Sequence, residues 1–299
     1  MGEAKRILLV SDTRDWHARR MEEAYAARGV ETTRLDLAAC GFVTTSPSGL
    51  DLPGFSALPD AALPDAVHVR TMAAGTFEAI TKRLGVLHAL DRSGVRVVNA
   101  PRAIEACVDK SMTSFLVARA GLPTPDTWTM ESFEAACALT QRESERGPLV
   151  LKPLFGAQGK GLRLIRAADD LPPPQEMASV YYLQRFEPIE AEDFRDFRLF
   201  VSGGRVVATM MRRAPTWITN VKQGGMPVAV PRDAALEELA LAAARAVGAE
   251  IAGVDVIVGR NGARVLEVNS MPAWSGLQKV TSVDIAGAIA DDVLRRLPA

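Results

Sequence analysis

The segment LVLKPLFGAQGKGLRLIR, residues 149–166, places the strongest constraint on the fold. Two apolar runs suited to β-strands flank a loop that carries Gly156, Gly159 and Gly161. No helical stretch separates the runs, so they predict a hairpin in an antiparallel sheet, with VYYLQRF (180–186) as a further strand. The glycines would let backbone N–H groups approach an anion closely, whereas an ordinary hairpin tip would need no ligand.

This glycine loop does not match the two common phosphate-binding templates. Gly156 and Gly161 have the spacing of the P-loop, but Leu162 and Arg163 follow where Lys and Ser or Thr are needed. The dinucleotide fingerprint G-x-G-x-x-G fails because Leu164 stands in place of the third glycine. The loop is therefore not the strand-to-helix turn of either template.

Composition excludes several classes of protein. The 299 residues allow about two domains of ~150 residues each, and a net charge of −1 gives no field that would attract nucleic acid. The charged N-terminal segment is unlike a signal peptide, and no apolar run reaches the ~18 residues of a membrane span. We expect a cytoplasmic protein that binds neither nucleic acid nor membrane. The cysteines and histidines are scattered along the chain, at Cys40, Cys107, Cys137, His17, His68 and His88. They therefore indicate neither disulfides nor a zinc site, and any metal should have oxygen ligands.

The first hundred residues alternate strand and helix patterns, which is typical of a parallel βαβ sheet. Ligands of such sheets bind at the carboxyl ends of the strands, where Asp12, Arg70 and Asn99 fall. The predicted strands are RILLV (6–10), VETTRL (30–35), AVHVR (66–70) and VRVVN (95–99).

Beyond residue 100 the pattern changes to α+β. Two hairpins are predicted, at 197–211 with a Gly203-Gly204 turn and at 253–269 around Asn261-Gly262. The fold class is therefore α/β, with an α+β C-terminal part. The predicted helices cover residues 101–120, 131–145, 234–247 and 283–297.

Asp255, Glu267 and Asn269 offer two carboxylates and one amide oxygen on the second hairpin. A plain two-residue turn would place Asp255 opposite Val268, whereas a three-residue loop with Gly262 in the left-handed conformation, and a bulge, would pair Asp255 with Glu267. Grouped on one face, these oxygens suit Mg²⁺. A solvated strand face is the alternative, although carboxylates within the apolar runs GVDVIV and VLEV need a partner.

Cationic side chains lie in the same part of the chain. Lys152 stands inside an apolar strand, where nucleotide phosphates or a structural carboxylate would satisfy it equally well. Arg198, Arg212 and Arg213 lie on the first hairpin, either as spare charges of a strand edge or placed to neutralise a phosphoryl group in transfer.

The ordered set of segments resembles the ATP-grasp ligases, and within them the ribosomal-protein glutamate ligase (RimK-type) family. The resemblance covers essentially the whole chain. Its motifs are DK (109–110), LVLKPLFGAQGKGL (149–162), LQRF (183–186), DFR (196–198), MRRA (211–214), TNVKQGG (219–225), AGVDVI (252–257), LEVNSMP (266–272) and GLQKVTSVDIAG (276–287).

The resemblance implies an ATP-grasp fold with an N-terminal pre-ATP-grasp domain (1–103), a central subdomain with the glycine lid (104–188) and a C-terminal subdomain with the metal site (189–299). It implies two Mg²⁺, or Mn²⁺, on Asp255, Glu267 and Asn269, and places Arg212 and Asn220 by the γ-phosphate. The implied ATP contacts are Lys110, Lys152, Gly156, Gln158, Gly159, Gly161, Gln184, Arg185, Phe186, Glu187 and Glu192, with Glu190 as a further candidate near the ribose.

The implied activity is ligation of a carboxylate to an amine through an acyl phosphate, with glutamate or another amino acid as the expected amine. Alternatives are a protein C-terminal glutamate ligase, a small-peptide ligase, and an ATP-binding sensor without turnover. The family's dimers and tetramers give the expectation of a homo-oligomer.

Departures from the family pattern concern the acceptor. Lys222 and Gln223 replace a basic His–Arg pair, and Trp217 and Trp274 lie close to the arginine loop and the metal strand. We therefore expect a flat acceptor such as a tetrahydromethanopterin-type pterin, although both tryptophans could equally be packing residues. The expected substrate contacts are Arg70, Arg198, Arg213 and Lys222.

Overall fold

Three sheets, of four, four and five strands, together with a two-stranded ribbon form the framework of the computed structural model. The structure describes residues 5–55, 63–156, 158–187 and 194–297. Each of the three sheets comes from its own stretch of the chain.

The N-terminal sheet has the strand order β2-β1-β5-β6 and is parallel throughout, which confirms the prediction. Alternate residues of β1 face opposite sides: Leu9 packs with Met21 of α1, and Leu8 with Leu87 of α2. Both faces are thus covered, as the continuous apolar run of β1 requires. The elements are β1 (Arg6–Val10), α1 (Trp16–Ala26), β2 (Glu31–Leu35), β3 (Gly41–Phe42), β4 (Leu50–Asp51), β5 (Ala66–Val69), α2 (Phe77–Arg92) and β6 (Arg96–Val98).

The helical region predicted over 101–120 consists of two helices, α3 (Pro101–Val108) and α4 (Lys110–Arg119), the second beginning at Lys110 as the sequence indicates. Asp109 separates them because its backbone is extended and its Oδ1 accepts the N–H groups of Ser111 and Met112, at 2.8 and 3.2 Å. This cap makes Lys110 the first residue of α4.

The central sheet has the order β7-β10-β8-β9 and is antiparallel, as predicted. Lys152 is the last residue of β8 and pairs with Tyr182, while Val150 pairs with Gln184. Because residues two apart share a face, Val150, Lys152 and Gln184 point to the same side of this sheet. The elements are β7 (Thr127–Met130), α5 (Phe133–Ser144), β8 (Leu149–Lys152), β9 (Arg163–Ile165) and β10 (Tyr181–Arg185).

The C-terminal sheet is antiparallel with the order β13-β12-β11-β14-β15. Its last helix shares a core with the N-terminal sheet, where Ile289 lies in one cluster with Met21. The boundaries at 103/104 and 188/189 stay a prediction. The elements are β11 (Phe194–Ser202), β12 (Arg205–Ala214), β13 (Met226–Ala229), α6 (Ala234–Ala246), β14 (Ile251–Gly259), β15 (Gly262–Asn269), α7 (Ser275–Gln278) and α8 (Ile285–Leu294).

The β14–β15 hairpin pairs Asp255 with Glu267, the register that a shared site requires. The route to that register differs from the prediction, since Gly259 pairs with Gly262 and the loop has two residues. The extra residue is Leu266, which bulges out where the register shifts between Asp255 and Val256. Gly262 has a φ of +89°, the left-handed conformation expected of it.

The turn between β11 and β12 offers a matched pair of substitutions. Gly203 and Gly204 both have positive φ, so alanine costs about 1–2 kcal/mol at either position. A methyl group at Gly203 would overlap the Asp292 carboxylate, which binds Ser202 and Arg205, whereas Gly204 has free space. We predict that Gly203→Ala lowers the free energy of unfolding by ~1–3 kcal/mol more than Gly204→Ala does, which a urea titration measures as a lower midpoint. Equal midpoints would contradict this packing.

Candidate functional site

A cleft, hereafter the central cleft, lies between the central sheet and the C-terminal sheet, with the glycine loop at its edge. It brings together residues of both sheets that are more than a hundred positions apart in the sequence, such as Lys152 and Asp255. The predicted site residues that line it are Lys110, Lys152, Gly156, Gln158, Gly159, Gln184, Arg185, Phe186, Glu187, Arg212, Asn220, Asp255 and Glu267.

The two lysines converge on the same part of the cleft. Lys152 Nζ donates to Gln184 Oε1 at 2.6 Å, and Lys110 Nζ donates to the carbonyl oxygens of Leu154 and Gly156 at 3.2 and 2.8 Å. Within the described residues, the partner of Lys152 is therefore an amide oxygen of the neighbouring strand β10 and not a structural carboxylate. Burial lowers the pKa of Lys152 to about 8, with the positive charge of Lys110 adding to the effect and Glu267 opposing it.

Arg212 lies between two buried carboxylates. Its Nε donates to Asp196 Oδ1 at 2.7 Å, and its Nη2 contacts Asp255 Oδ2 at 2.9 Å and also Asp196. Arg198 binds both oxygens of Asp255 from the other side, with Nη2 at 2.7 Å. Burial would raise the pKa of Asp255, but the two arginines outweigh it and the net shift is downward. Asp255 is therefore held as a carboxylate.

Asp255, Glu267 and Asn269 fit a divalent cation by the chemistry of their donors. Asp255 lies directly across from Glu267, and Asn269 follows two residues later on β15, where its buried Nδ2 has no partner in the described residues. A carboxylate has about four lone-pair positions, so the arginine contacts of Asp255 leave it able to bind an ion. No group of three or more His, Cys, Asp or Glu side chains suited to a metal occurs in the described ranges, so the amide oxygen is needed to complete the set.

The glycine loop approaches the opposite wall of the cleft closely. Gly159 has a φ of +71°, and a methyl group there would lie 2.5 Å from Asn220 Oδ1 and 3.0 Å from Ile218 Cγ2. Gly161, also at positive φ, lies against Pro153 in the same way, at 2.8 Å. Glycine at these positions thus permits the loop to meet the Asn220 segment, which continues into a short 3₁₀ turn at Val221–Gln223.

Several lining residues were not predicted. Sequence spacing could have found part of them, since Val150 precedes Lys152 by two positions and Ile257 follows Asp255 by two, which places each pair on one strand face. Phe186 and Trp217 meet edge to face with ring centroids 6.0 Å apart, so the apolar end of the cleft suits a flat ring. The lining residues missed are Val150, Pro153, Lys160, Leu162, Asp196, Ile218, Thr219, Ile257 and Leu266.

The remaining predicted residues lie outside the lining of the central cleft. Arg198 is one contact away through Asp255, and Arg70 is buried at the end of β5. Trp274 is 2% exposed and packs edge to face on Phe200, so it is a core residue, unlike Trp217. Also outside the lining are Gly161, Arg213, Lys222 and Asn269, while Glu190 and Glu192 lie outside the described residues.

The sequence matches a known family over most of its length. The profile of the RimK-like ATP-grasp domain matches residues 107–293. The tetrahydromethanopterin:alpha-L-glutamate ligase of Methanosarcina acetivorans is 33% identical over 308 aligned positions, which cover 90% of this chain and 92% of that protein. A protein named probable alpha-L-glutamate ligase from Legionella pneumophila strain Paris is also 33% identical, over 74% of this chain and 77% of its own length.

Solved structures share the fold. A RimK domain ATP-grasp protein from Sphaerobacter thermophilus is 25% identical, with a TM-score of 0.70 over 97% of this chain and 99% of that one. The ATP-grasp ligase PsnB, solved with a minimal precursor, Mg and ADP, has a TM-score of 0.73 at 22% identity, over 100% of this chain and 99% of its own. These matches confirm the expected α/β ATP-grasp fold.

The close approach of Gly159 to Asn220 yields a prediction for nucleotide binding. Gly159→Ala should weaken the binding of ADP with Mg²⁺ about tenfold or more, because the methyl group prevents the loop from meeting the Asn220 wall. Gly121→Ala is the matched control, since Gly121 has the same φ of +71° with open space around its Cα. Calorimetric titration measures both affinities, and an equal loss in the two variants would refute the role of the contact.

The pKa of Lys152 gives a pH-dependent prediction. At pH 8 about half of the Lys152 amines are neutral, so a phosphate group that binds the ammonium form should draw in up to about half a proton. Titrations with ADP and Mg²⁺ in buffers of different ionisation enthalpy should show this uptake in the wild type and less in Lys152→Met. At pH 6.5, where Lys152 is already charged, the difference should disappear. The same uptake in both proteins at pH 8 would be the contrary result.

Proposed function

The chain belongs to the RimK-like ATP-grasp family, and we propose that it joins L-glutamate to a carboxylate of a pterin-type cofactor acceptor. Its general activity is that of the family: an ATP-dependent, ADP-forming ligase that makes an amide bond. One observation favours a ligase over a protein that only senses ATP. Five residues of the expected catalytic site lie together in one cleft, and a sensor would not need them all: Lys110, Lys152, Arg212, Asp255 and Glu267.

The residues that line the central cleft support one orientation of ATP. The apolar end, with Val150, Phe186 and Ile257, suits the adenine ring, and the main chain of Gln184 to Phe186 lies at the same end. Glu187, which lines the cleft next to Phe186, is proposed to accept hydrogen bonds from the ribose. The phosphates then extend toward Lys110 and Lys152, where the N–H groups of Gly156, Gln158 and Gly159 are also available.

Asp255, Glu267 and Asn269 are the residues that would hold Mg²⁺, with two ions expected and Mn²⁺ as a possible replacement. When bound, Mg²⁺ neutralises phosphate charge and orients the phosphoryl group. Glu267 also lies close enough to Lys110 and Lys152 to affect the pKa of each lysine, which joins the metal end of the cleft to the phosphate end.

The residues of this chain act mainly by positioning and by charge. A carboxylate oxygen of the acceptor attacks the γ-phosphorus of ATP, and the bond to the β,γ-bridging oxygen breaks to release ADP. Arg212, fixed by Asp196, and Asn220 stabilise the charge on the transferred phosphoryl group. The amine of glutamate then attacks the acyl carbon, phosphate leaves and the amine loses a proton.

The proposed acceptor is inferred from a relative and from one aromatic residue of the central cleft. The pterin class rests on the archaeal relative together with Trp217, whose ring lines the central cleft. Arg198, Arg213 and Lys222 are proposed to contact anionic substrate groups. No helix in the described ranges is long and apolar enough to cross a membrane. We propose a cytoplasmic homodimer or homotetramer that binds neither nucleic acid nor membrane.

ADP release in the presence of L-glutamate tests the function. Tetrahydromethanopterin should support ADP formation that requires both glutamate and acceptor. A C-terminal peptide ending in glutamate and a dipeptide substrate serve as comparisons for the protein-ligase and peptide-ligase alternatives. If the peptides supported turnover and the pterin did not, the proposed acceptor would be wrong.

The metal residues give the sharpest loss of activity. Glu267→Gln removes one negative charge with little change of shape, so we predict a fall in Mg²⁺-dependent ADP formation of at least about 1,000-fold. Glu238→Gln, on the exposed face of α6, is the matched control and should keep full activity. Binding of Mn²⁺ with ADP, followed by electron paramagnetic resonance, should weaken in the first variant alone. Normal turnover in Glu267→Gln would show that the metal site lies elsewhere.

A further inference from the structure

Arg70 is a buried guanidinium group without an ion-pair partner in the described ranges. Its side chain is 4% exposed at the carboxyl end of β5, and its Cζ lies 5.2 Å from the ring centroid of Trp274. Nη1 donates one long hydrogen bond, 3.3 Å, to the carbonyl oxygen of Met271. Nε is buried and has no acceptor among these residues. A buried charge of this kind needs an anionic partner.

The contrast with other buried arginines is clear. Arg212 has Asp196 and Asp255 as partners. Arg83 also has a buried Nε without an acceptor, but its Nη1 donates to two carbonyl oxygens, of Ala73 and Ala74, at 2.6 and 3.2 Å. Arg70 has neither a carboxylate nor two close carbonyl groups.

The carboxylates nearest to Arg70 are already engaged. Asp15 accepts the N–H of Ala18 at 2.8 Å as the N-cap of α1, and its other oxygen contacts His17 Nδ1 at 3.0 Å. Asp12 accepts the hydroxyl of Thr71 at 2.5 Å. Their charges oppose the effect of burial, which lowers the pKa of Arg70 to about 10. A charged guanidinium group therefore remains at neutral pH, with donor capacity to spare.

The surroundings of Arg70 are held in a fixed geometry. His17 Nε2 accepts the N–H groups of Trp274 and Ser275, at 3.1 and 3.2 Å, so the ring is neutral with its proton on Nδ1 facing Asp15. This arrangement fixes Trp274 as a flat support for the guanidinium group. The rim is more open, since Thr71 is half-buried and Ser275 is exposed.

The location also connects Arg70 to the central cleft. Met271, its hydrogen-bond partner, follows the proposed metal ligand Asn269 by two residues. The exposed Lys222 is near enough to His17 for its charge to lower the pKa of the ring, and Lys222 adjoins the Asn220 wall of the central cleft. A substrate that reaches from the γ-phosphate position could thus place an anionic group on Arg70.

We propose that Arg70 binds, as a two-pronged fork, a substrate carboxylate that is not the one activated by ATP. The inference deepens the proposed function and rests on it. The carboxylate belongs either to the incoming dicarboxylic amino acid or to the acceptor. Both provide the planar pair of oxygens that a guanidinium fork recognises, and Arg70 thereby selects substrates with a second carboxylate.

Calorimetric titration of the full chain, saturated with ADP and Mg²⁺, tests the proposal with L-glutamate and with glutarate. Arg70→Gln should weaken binding of these dicarboxylates at least about tenfold. Arg83→Gln is the matched control, a buried arginine bonded only to carbonyl groups, and should bind them within about twofold of the wild type. Arg70→Lys keeps the charge but loses the fork, so it should lose at least about threefold and serves if the glutamine variant fails to fold.

Kinetics with tetrahydromethanopterin as acceptor identify the source of the carboxylate. A raised KM for glutamate in Arg70→Gln assigns it to the amino acid, and a raised KM for the pterin assigns it to the acceptor. Unchanged dicarboxylate binding together with unchanged KM values would overturn the proposal. Affinity for ADP with Mg²⁺ should be equal in all variants, and a wild type that failed to bind this nucleotide would instead refute the proposed function.

Discussion

The ion-pair chain Asp196–Arg212–Asp255–Arg198 is the interaction on which the rest of the site depends. It crosses β12, β11 and β14, so three strands of the C-terminal sheet are fixed relative to one another by charges buried at their centre. Buried charges of this kind are costly unless each has a partner, and the alternation of acid and base meets that condition. Loss of one member would leave another charge unpaired, which explains why the group must be present as a whole.

The same chain gives each member a chemical role. Asp196 fixes the guanidinium plane of Arg212, and the two arginines keep Asp255 ionised. Asp255 is in turn paired across the sheet with Glu267, which influences Lys110 and Lys152 on the opposite side of the cleft. Opposite charges thus alternate across the space where phosphate and metal would lie, and little rearrangement is needed when charge moves during phosphoryl transfer.

The sequence predicts the site correctly where the type of residue and its spacing along a strand point to the same arrangement. The Asp255–Glu267 pairing was the register expected if Asp255, Glu267 and Asn269 share a site, but the two-residue loop and the bulge at Leu266 were not predicted, because strand alternation does not decide where an extra residue is accommodated. The start of α4 at Lys110 is readable from the sequence, because Asp109 before it is a good N-cap residue. The Lys152–Gln184 contact joins residues 32 positions apart, and the different roles of Trp217 and Trp274 arise from tertiary packing. Neither that contact nor these roles follow from spacing along one element.

Transfer of oxygen during the reaction is the most direct test of the central claim that this cleft activates a carboxylate with ATP. If the carboxylate oxygens of the acceptor are labelled with ¹⁸O, the attack on the γ-phosphorus carries one labelled oxygen into the inorganic phosphate released with the amide product. The account therefore predicts one ¹⁸O atom in each phosphate, which mass spectrometry detects. Release of unlabelled phosphate, with amide formed, would contradict an acyl phosphate and with it the roles given to Arg212 and the residues around it.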